Sequence, residues 1–248
     1  MRIFGYDLHI KKTEIQEWPF DLPHSVCLDG ARMEHLASLG LDLDNKMVLE
    51  VGCGIGLLTD FFEGCGCEVW STDGRVGNVR ENLERHPHRR GRVFVVDLDD
   101  PKSHDRFDHF KTKPFQVVVC YGVLYHLSDP ALCIADLARV NGGLFLLETC
   151  VSPIDNGQIN LVDEDSRQSD QSLHSTGCRP ARDWIMAELR KYYPHVYLTT
   201  KQPDHKLYPT RWPAASEQGI VRAVFIASRE ELALPTLSSQ ILMKHSIE

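Results

Sequence analysis

Between Met47 and Thr149 the chain repeats one pattern: a short apolar run, a turn, and then a stretch with helical spacing. The apolar runs are Met47–Val51, Cys67–Thr72, Arg92–Val96, Phe115–Cys120 and Leu144–Thr149. Helical stretches fall over Leu57–Glu63, Val76–Arg85 and Pro130–Val140. Strands alternating with helices predict an α/β domain built on a parallel sheet with helices on both faces. The same pattern says where a ligand goes, because open parallel sheets bind ligands outside the carboxyl ends of their strands. Those ends carry Glu50, Asp73, Asp97 and Cys120, separated by 23, 24 and 23 residues. Three acids in step therefore point at one crevice.

The flanks are less regular. Trp18–Pro23 reads as extended chain punctuated by prolines. A helix is predicted over Leu28–Leu41, with Leu28, Ala31, Met33, Leu36, Ala37 and Leu39 as its apolar stripe. Beyond Thr149 the rhythm breaks, and residues 150–178 are polar and rich in Asp, Ser, Gln and Asn. A helix over Ala181–Tyr192 and strands Val196–Thr200 and Val221–Ser228 follow, and the tail from Arg229 reads as peripheral. The expected organisation is a single domain: a cap segment 1–45, a core 46–149, an insertion 150–180, and a helix with a strand pair over 181–230. Long polar insertions between a sheet strand and its next helix are frequent sites of substrate recognition.

Composition removes several classes of function. At 248 residues the chain can bury a sizeable core, and 42% hydrophobic with 25% charged residues excludes a disordered or fibrous protein. Its longest apolar runs are too short to span a bilayer, and Met1–Lys12 holds no uninterrupted apolar region of a signal peptide. A formal charge of −8 argues against sequence-independent binding to a phosphate backbone. Of the eight cysteines, Cys53, Cys120, Cys133 and Cys150 lie in or beside apolar segments, where cysteine acts as a small core residue. Cys65-Gly-Cys67 has no partner pair for zinc, and no compact Asp, His and Glu cluster compels another metal. The expectation is a reduced, cytoplasmic protein with no membrane contact; monomer and homodimer both stay open.

A glycine loop, Glu50-x-Gly52-x-Gly54-x-Gly56, joins the first strand to its helix. Glycine tolerates positive φ and lets a ligand approach the backbone. The spacing is not the Gly-x-Gly-x-x-Gly of a dinucleotide site, and Glu50 would repel a pyrophosphate docking at the helix N-terminus. A carboxylate here suits an ammonium or a sulfonium instead. Asp73 can accept both hydroxyls of a ribose, and Asp97 can accept an exocyclic amine. An adenosine with a cationic tail fits all three.

Val48-Leu-Glu-Val-Gly-Cys-Gly-Ile-Gly56 resembles the first motif of the class I S-adenosylmethionine-dependent methyltransferases. The resemblance runs closely over about residues 45–150 and loosely over the final strands. It implies a Rossmann-like, doubly wound seven-stranded sheet, mostly parallel, with an antiparallel C-terminal hairpin from the last two strands. The implied cofactor is S-adenosylmethionine, with S-adenosylhomocysteine as product. By that resemblance Glu50, Gly52 and Gly54 surround the methionine part, with Gly56 completing the loop. Asp73 holds the ribose, Asp97 the adenine amine, and Leu98 packs on the adenine ring, with Cys120 and Tyr121 at the next strand end. Tyr121–Pro130, together with Gly142–Thr149, is also similar to a branch that includes tRNA wobble-uridine carboxymethyltransferases, and to many methyltransferases of small molecules and glycans. The chain lacks that tRNA branch's long N-terminal extension and its basic surface.

Methyl transfer to a hydroxyl needs alignment and a place for the proton to go. His126, six residues past the fourth strand end, is the candidate base; the alternative is that it anchors its loop. Tyr121 reads as lining the cofactor side and Tyr125 the substrate side. In the insertion, His174, Arg179 and Arg182 gather beside a helix start, suiting an anionic or hydroxyl-rich substrate or simply forming a solvated first turn. His174 is the substitute base. Trp18 and Trp212 are candidate pocket walls, or packing. The basic stretch Arg85–Arg92 reads as a solvated connection. The function expected is O-methylation of a small metabolite, natural product or sugar. A tRNA wobble-uridine-modifying enzyme and a non-catalytic cofactor-binding regulatory subunit are the alternatives, with nucleic acid disfavoured by charge.

Overall fold

The computed structural model describes residues 2–3, 6–7, 18–100, 102, 107, 114–213 and 220–247; residues 8–17 of the cap segment lie outside them. Helix α1 (Pro23–Ser38) leads into β1 (Met47–Val51), α2 (Leu57–Gly64), β2 (Glu68–Asp73), α3 (Val76–Arg85) and β3 (Val93–Val95). Then come β4 (Phe115–Tyr121), α4 (Pro130–Val140) and β5 (Asn141–Val151). The insertion folds into a short hairpin of β6 (Leu161–Asp163) and β7 (Thr176–Cys178). Helix α5 (Arg182–Leu189), β8 (His195–Thr199), β9 (Val221–Ser228) and β10 (Leu237–Ser238) complete the main elements.

The central sheet runs in the order β10-β8-β9-β5-β4-β1-β2-β3. From β3 to β5 every neighbouring pair is parallel, while β9 runs antiparallel to both β5 and β8. The predicted fold is therefore present, with one strand more than expected. The tail read as peripheral supplies it: β10 pairs with β8 through Leu198–Ser238 and Thr199–Leu237. Further along, buried His245 bonds the Thr199 carbonyl, at 2.9 Å. A tail of scattered apolar residues carries no period, so sequence alone gave it no place to pair.

Alternation sorts the side chains to the two faces of the sheet. On β9, Ala223, Phe225 and Ala227 pack with α4 and α5, while Val224 and Ile226 pack with α1 and α2. The order reverses between β1 and β4, which opens a crevice beyond their carboxyl ends. Backbone bonds from Cys53 to Thr72, Val96 to Asp73 and Gly122 to Glu148 carry the ladder past those ends and level them.

Helix α1 departs from its predicted stripe. It begins at Pro23, where proline's fixed φ suits the first helical position, five residues before the predicted start. Ala37 is exposed, whereas Arg32 and His35 are buried. Periodicity of apolar residues cannot register a buried charge whose partner, here Glu148, lies 116 residues away.

Candidate cofactor and active site

The glycine loop is held from both sides. Gly52, Gly54 and Gly56 all have positive φ, at 68°, 52° and 92°. A Cβ on Gly52 would stand 2.0 Å from Val123 Cγ2, and one on Gly54 would stand 3.0 Å from the Phe20 ring. Both conformation and space therefore require glycine at these positions. Glu50 lies buried behind the loop, where its Oε2 accepts from the hydroxyls of Thr59 (2.5 Å) and Ser71 (3.1 Å). Burial pushes this carboxyl up to about 7, against those two hydrogen bonds.

Asp73 closes the loop at the end of β2. Its Oδ2 accepts the Gly54 N–H at 2.9 Å, and its Oδ1 accepts from the Arg75 N–H and the Asn78 amide, at 2.8 and 3.1 Å. Burial raises its pKa, opposed by the backbone donors. Beyond the strand ends lies a cavity of about 110 Å³, bordered by Gly52, Asp73, Asp97, Leu98, His126 and Leu173 among others. Its charged lining is four carboxylates, Asp73, Asp97, Asp99 and Asp170, against the single guanidinium of Arg75. That guanidinium is already engaged, since its Nη2 donates to the carbonyls of Ser166, Gln171 and Ser172.

The insertion hairpin reaches over this crevice, and besides the bonds to Arg75 two histidine contacts tie it down. Asp97 Oδ2 meets His174 Nε2 at 2.6 Å, while Asp97 Oδ1 accepts the Asp99 N–H. At the other end, His126 Nδ1 bonds Glu164 Oε2. Asp99 accepts from the N–H groups of Ser128 and Asp129, which pins the loop that carries His126. Neither histidine contact is legible in the sequence, because both join an aperiodic segment to residues just beyond the strand ends.

The remaining sequence candidates scatter. Cys120 is fully buried and Tyr121 is buried, its hydroxyl without a hydrogen-bond partner among the described residues. Tyr125 packs its ring 3.9 Å from that of His126 and receives a hydrogen bond from Arg222 Nη2 at 3.0 Å. Arg179 turns toward Glu164 and the Tyr125 carbonyl. Arg182 does not reach the crevice. It is wholly buried, spent on Asp155 and the Leu242 carbonyl, and stacked 3.8 Å over Trp212, so both residues belong to the packing. Trp18 is also buried, with its ring edge 3.8 Å from where a Cβ on Gly77 of α3 would stand. Residues missed by the sequence reading are Glu164 and Asn78, together with Arg32, whose guanidinium packs against Gly122 and whose Nε has no partner among the described residues.

The methyltransferase domain family matches residues 29–201, about 70% of the chain. The chain belongs to that family. Class I enzymes of this kind use S-adenosylmethionine as methyl donor. The chain is 30% identical over 135 residues to a ubiquinone biosynthesis O-methyltransferase of Xanthomonas oryzae pv. oryzae, covering 52% of this chain and 54% of that one. A namesake from Thiobacillus denitrificans is 32% identical over 101 residues, covering 40% of each. The chain thus spans about half the length of the curated relatives it matches. In fold it is similar to the N-terminal domain of EvdMO1 crystallised with SAH, with a TM-score of 0.61 and 19% identity over 82% of this chain and 81% of that one. It is also similar to the SAM-bound magnesium protoporphyrin IX methyltransferase of Synechocystis, with a TM-score of 0.52, 14% identity and 83% coverage of both chains.

Proposed function

We propose that this methyltransferase moves a methyl group from S-adenosylmethionine to a hydroxyl of a small molecule, with His126 as the base. The observation that carries the reading is the acidic crevice at the strand ends. Four carboxylates and one engaged arginine suit a cationic ligand and disfavour a pyrophosphate. The residues fit the cofactor group by group. Glycines at 52 and 54 leave room for its backbone approach, and Glu50 lies behind them as the anion for its ammonium. Asp73 offers acceptors to the ribose, Asp97 to the adenine amine, and Leu98 an apolar surface to the ring. When bound, S-adenosylmethionine supplies a methyl already activated on a sulfonium.

What remains for the protein is to orient the acceptor and take its proton. His126 borders the crevice with Nδ1 engaged by Glu164, which leaves Nε2 as the nitrogen for a substrate hydroxyl. The curated relatives are named as O-methyltransferases of ubiquinone biosynthesis, and one EvdMO1 structure was obtained in the presence of SAH and D-fucose. Both names support an oxygen acceptor on a small molecule.

Calorimetry with S-adenosylhomocysteine and NAD tests the cofactor: binding of the former alone is expected. Methyl transfer from labelled S-adenosylmethionine to catechol and D-fucose tests the acceptor class. His126→Ala should leave cofactor binding intact and lower kcat by about 10²–10⁴-fold. Full activity in that variant would leave catalysis to alignment alone.

A further inference from the structure

The carboxylate that engages His126 comes from outside the sheet. Glu164 sits just past β6, 38 residues from His126, and its side chain is only 3% exposed. Its second oxygen, Oε1, accepts from both Nη1 and Nη2 of Arg179, each at 3.2 Å. The Ser172 N–H donates to Oε2 at 2.8 Å. On the facing strand β7, a Cβ at Gly177 would stand 2.7 Å from Glu164 Oε1 and 2.5 Å from the Tyr125 carbonyl, so only glycine lets the hairpin close on the loop. Burial alone would raise the carboxyl, but the His126 bond, the Ser172 amide and Arg179 outweigh it and hold Glu164 ionised. The Tyr125 ring lies against His126 on the other side, covered by Arg222 and Arg179 at 4.8 and 5.2 Å.

We propose that Glu164 is a positioning residue for His126: it holds the neutral imidazole with the proton on Nδ1, so that Nε2 is presented to the crevice as a proton acceptor. The inference rests on the reading of His126 as the base. In the step, an oxygen lone pair of the acceptor forms the carbon–oxygen bond, and the carbon–sulfur pair leaves with sulfur. The hydroxyl proton passes to Nε2, and the imidazolium so formed faces the Glu164 carboxylate. An ion pair that exists only after proton transfer favours the transition state over the resting enzyme. An insertion that merely covered the crevice would need no buried carboxylate held by three donors.

The test begins without a substrate. Nitrogen-15 spectra of histidine-labelled protein with S-adenosylhomocysteine should show neutral His126 as the Nδ1–H tautomer. In Glu164→Gln the amide can present either its oxygen or its NH₂ to Nδ1, so the Nε2–H form should appear. Affinity for S-adenosylhomocysteine should not change. With whichever of catechol and D-fucose the wild type methylates, Glu164→Gln should lower kcat by at least about tenfold with KM unchanged, and by no more than the about 10²–10⁴-fold owed to the base. In a double-mutant cycle the substitution should cost nothing further on a His126→Ala background. An Nε2–H tautomer in the wild type, or an equal loss on both backgrounds, would overturn the proposal. Full activity of His126→Ala with the expected tautomer would sink the base and leave the positioning intact, so the two failures are distinguishable. Glu164→Asp, which keeps the charge and shortens the reach, should retain the Nδ1–H form and part of the rate.

Discussion

At the scale of single residues, Glu50 is where folding and function pull apart. Its carboxyl is held at about 7 by burial, against an ordinary 4.5, so the folded protein binds that proton more tightly than the unfolded chain. Stability from this group is therefore fully present below pH 4.5 and lost as pH rises through about 7. The difference corresponds to about 3 kcal/mol by pH 8. Glu50→Gln should keep the Thr59 and Ser71 contacts and unfold at higher denaturant than wild type at pH 8, with the gap closing by pH 4. It should also bind S-adenosylmethionine more weakly, having lost the anion. Urea titrations at the two pH values check the first expectation, and equal gaps at both would show that the charge is not the source. Glu50, Asp73 and Asp97 were legible in the sequence because strand ends recur at a constant interval. Glu164 was not, because its partner lies across an aperiodic segment and no spacing records that.

Among the elements, the insertion hairpin was the least legible and the most consequential. Residues 150–178 show no period, since β6 and β7 are three residues each, too short for alternation to register. The core elements were readable for the opposite reason: α3, α4 and β9 match their predicted bounds because period and punctuation coincide there. Arg75 is the main pin of the insertion, with Nη2 shared among three carbonyls, and Asn78 adds a bond to the Ser169 carbonyl. Removing a charged donor of this kind costs about 1.5–3 kcal/mol. Arg75→Ala should therefore speed amide exchange over residues 164–174 by roughly 10–150-fold while leaving exchange in β4 and β9 unchanged. Unaltered protection across the insertion would mean that the Asp97–His174 and His126–Glu164 contacts hold it by themselves.

For the molecule as a whole, one buried network joins the cofactor half of the sheet to its antiparallel half. Glu148, fully buried on β5, accepts from Arg32 of α1 at 2.6 Å, from Arg222 of β9 at 2.9 Å and from the Tyr208 hydroxyl at 2.9 Å. Burial alone would raise this carboxyl, but Arg222 and Arg32 overcome it and hold Glu148 at about 2. Its contribution to stability is therefore present above pH 4.5 and lost as pH falls toward 2. Breaking such a pair leaves a charge buried without its partner, which typically costs about 3–5 kcal/mol. Arg222→Met should lose less than that at pH 7, because Arg32 and Tyr208 still serve Glu148, and visibly less again at pH 3, where the carboxyl of the variant takes up a proton. Replacing both partners, Glu148→Met with Arg222→Met, should recover much of the loss, because packed apolar groups need no compensation. Arg32 keeps that double variant from full recovery: its Nη2 would lose Glu148, although Nη1 would keep Asp29. Chemical denaturation of the two variants at pH 7 and pH 3 separates the charge effect from packing. If Arg222→Met were equally destabilised at both, the network would act through the contacts of the arginine stem and the Tyr125 ring it covers, and not through the ion pair.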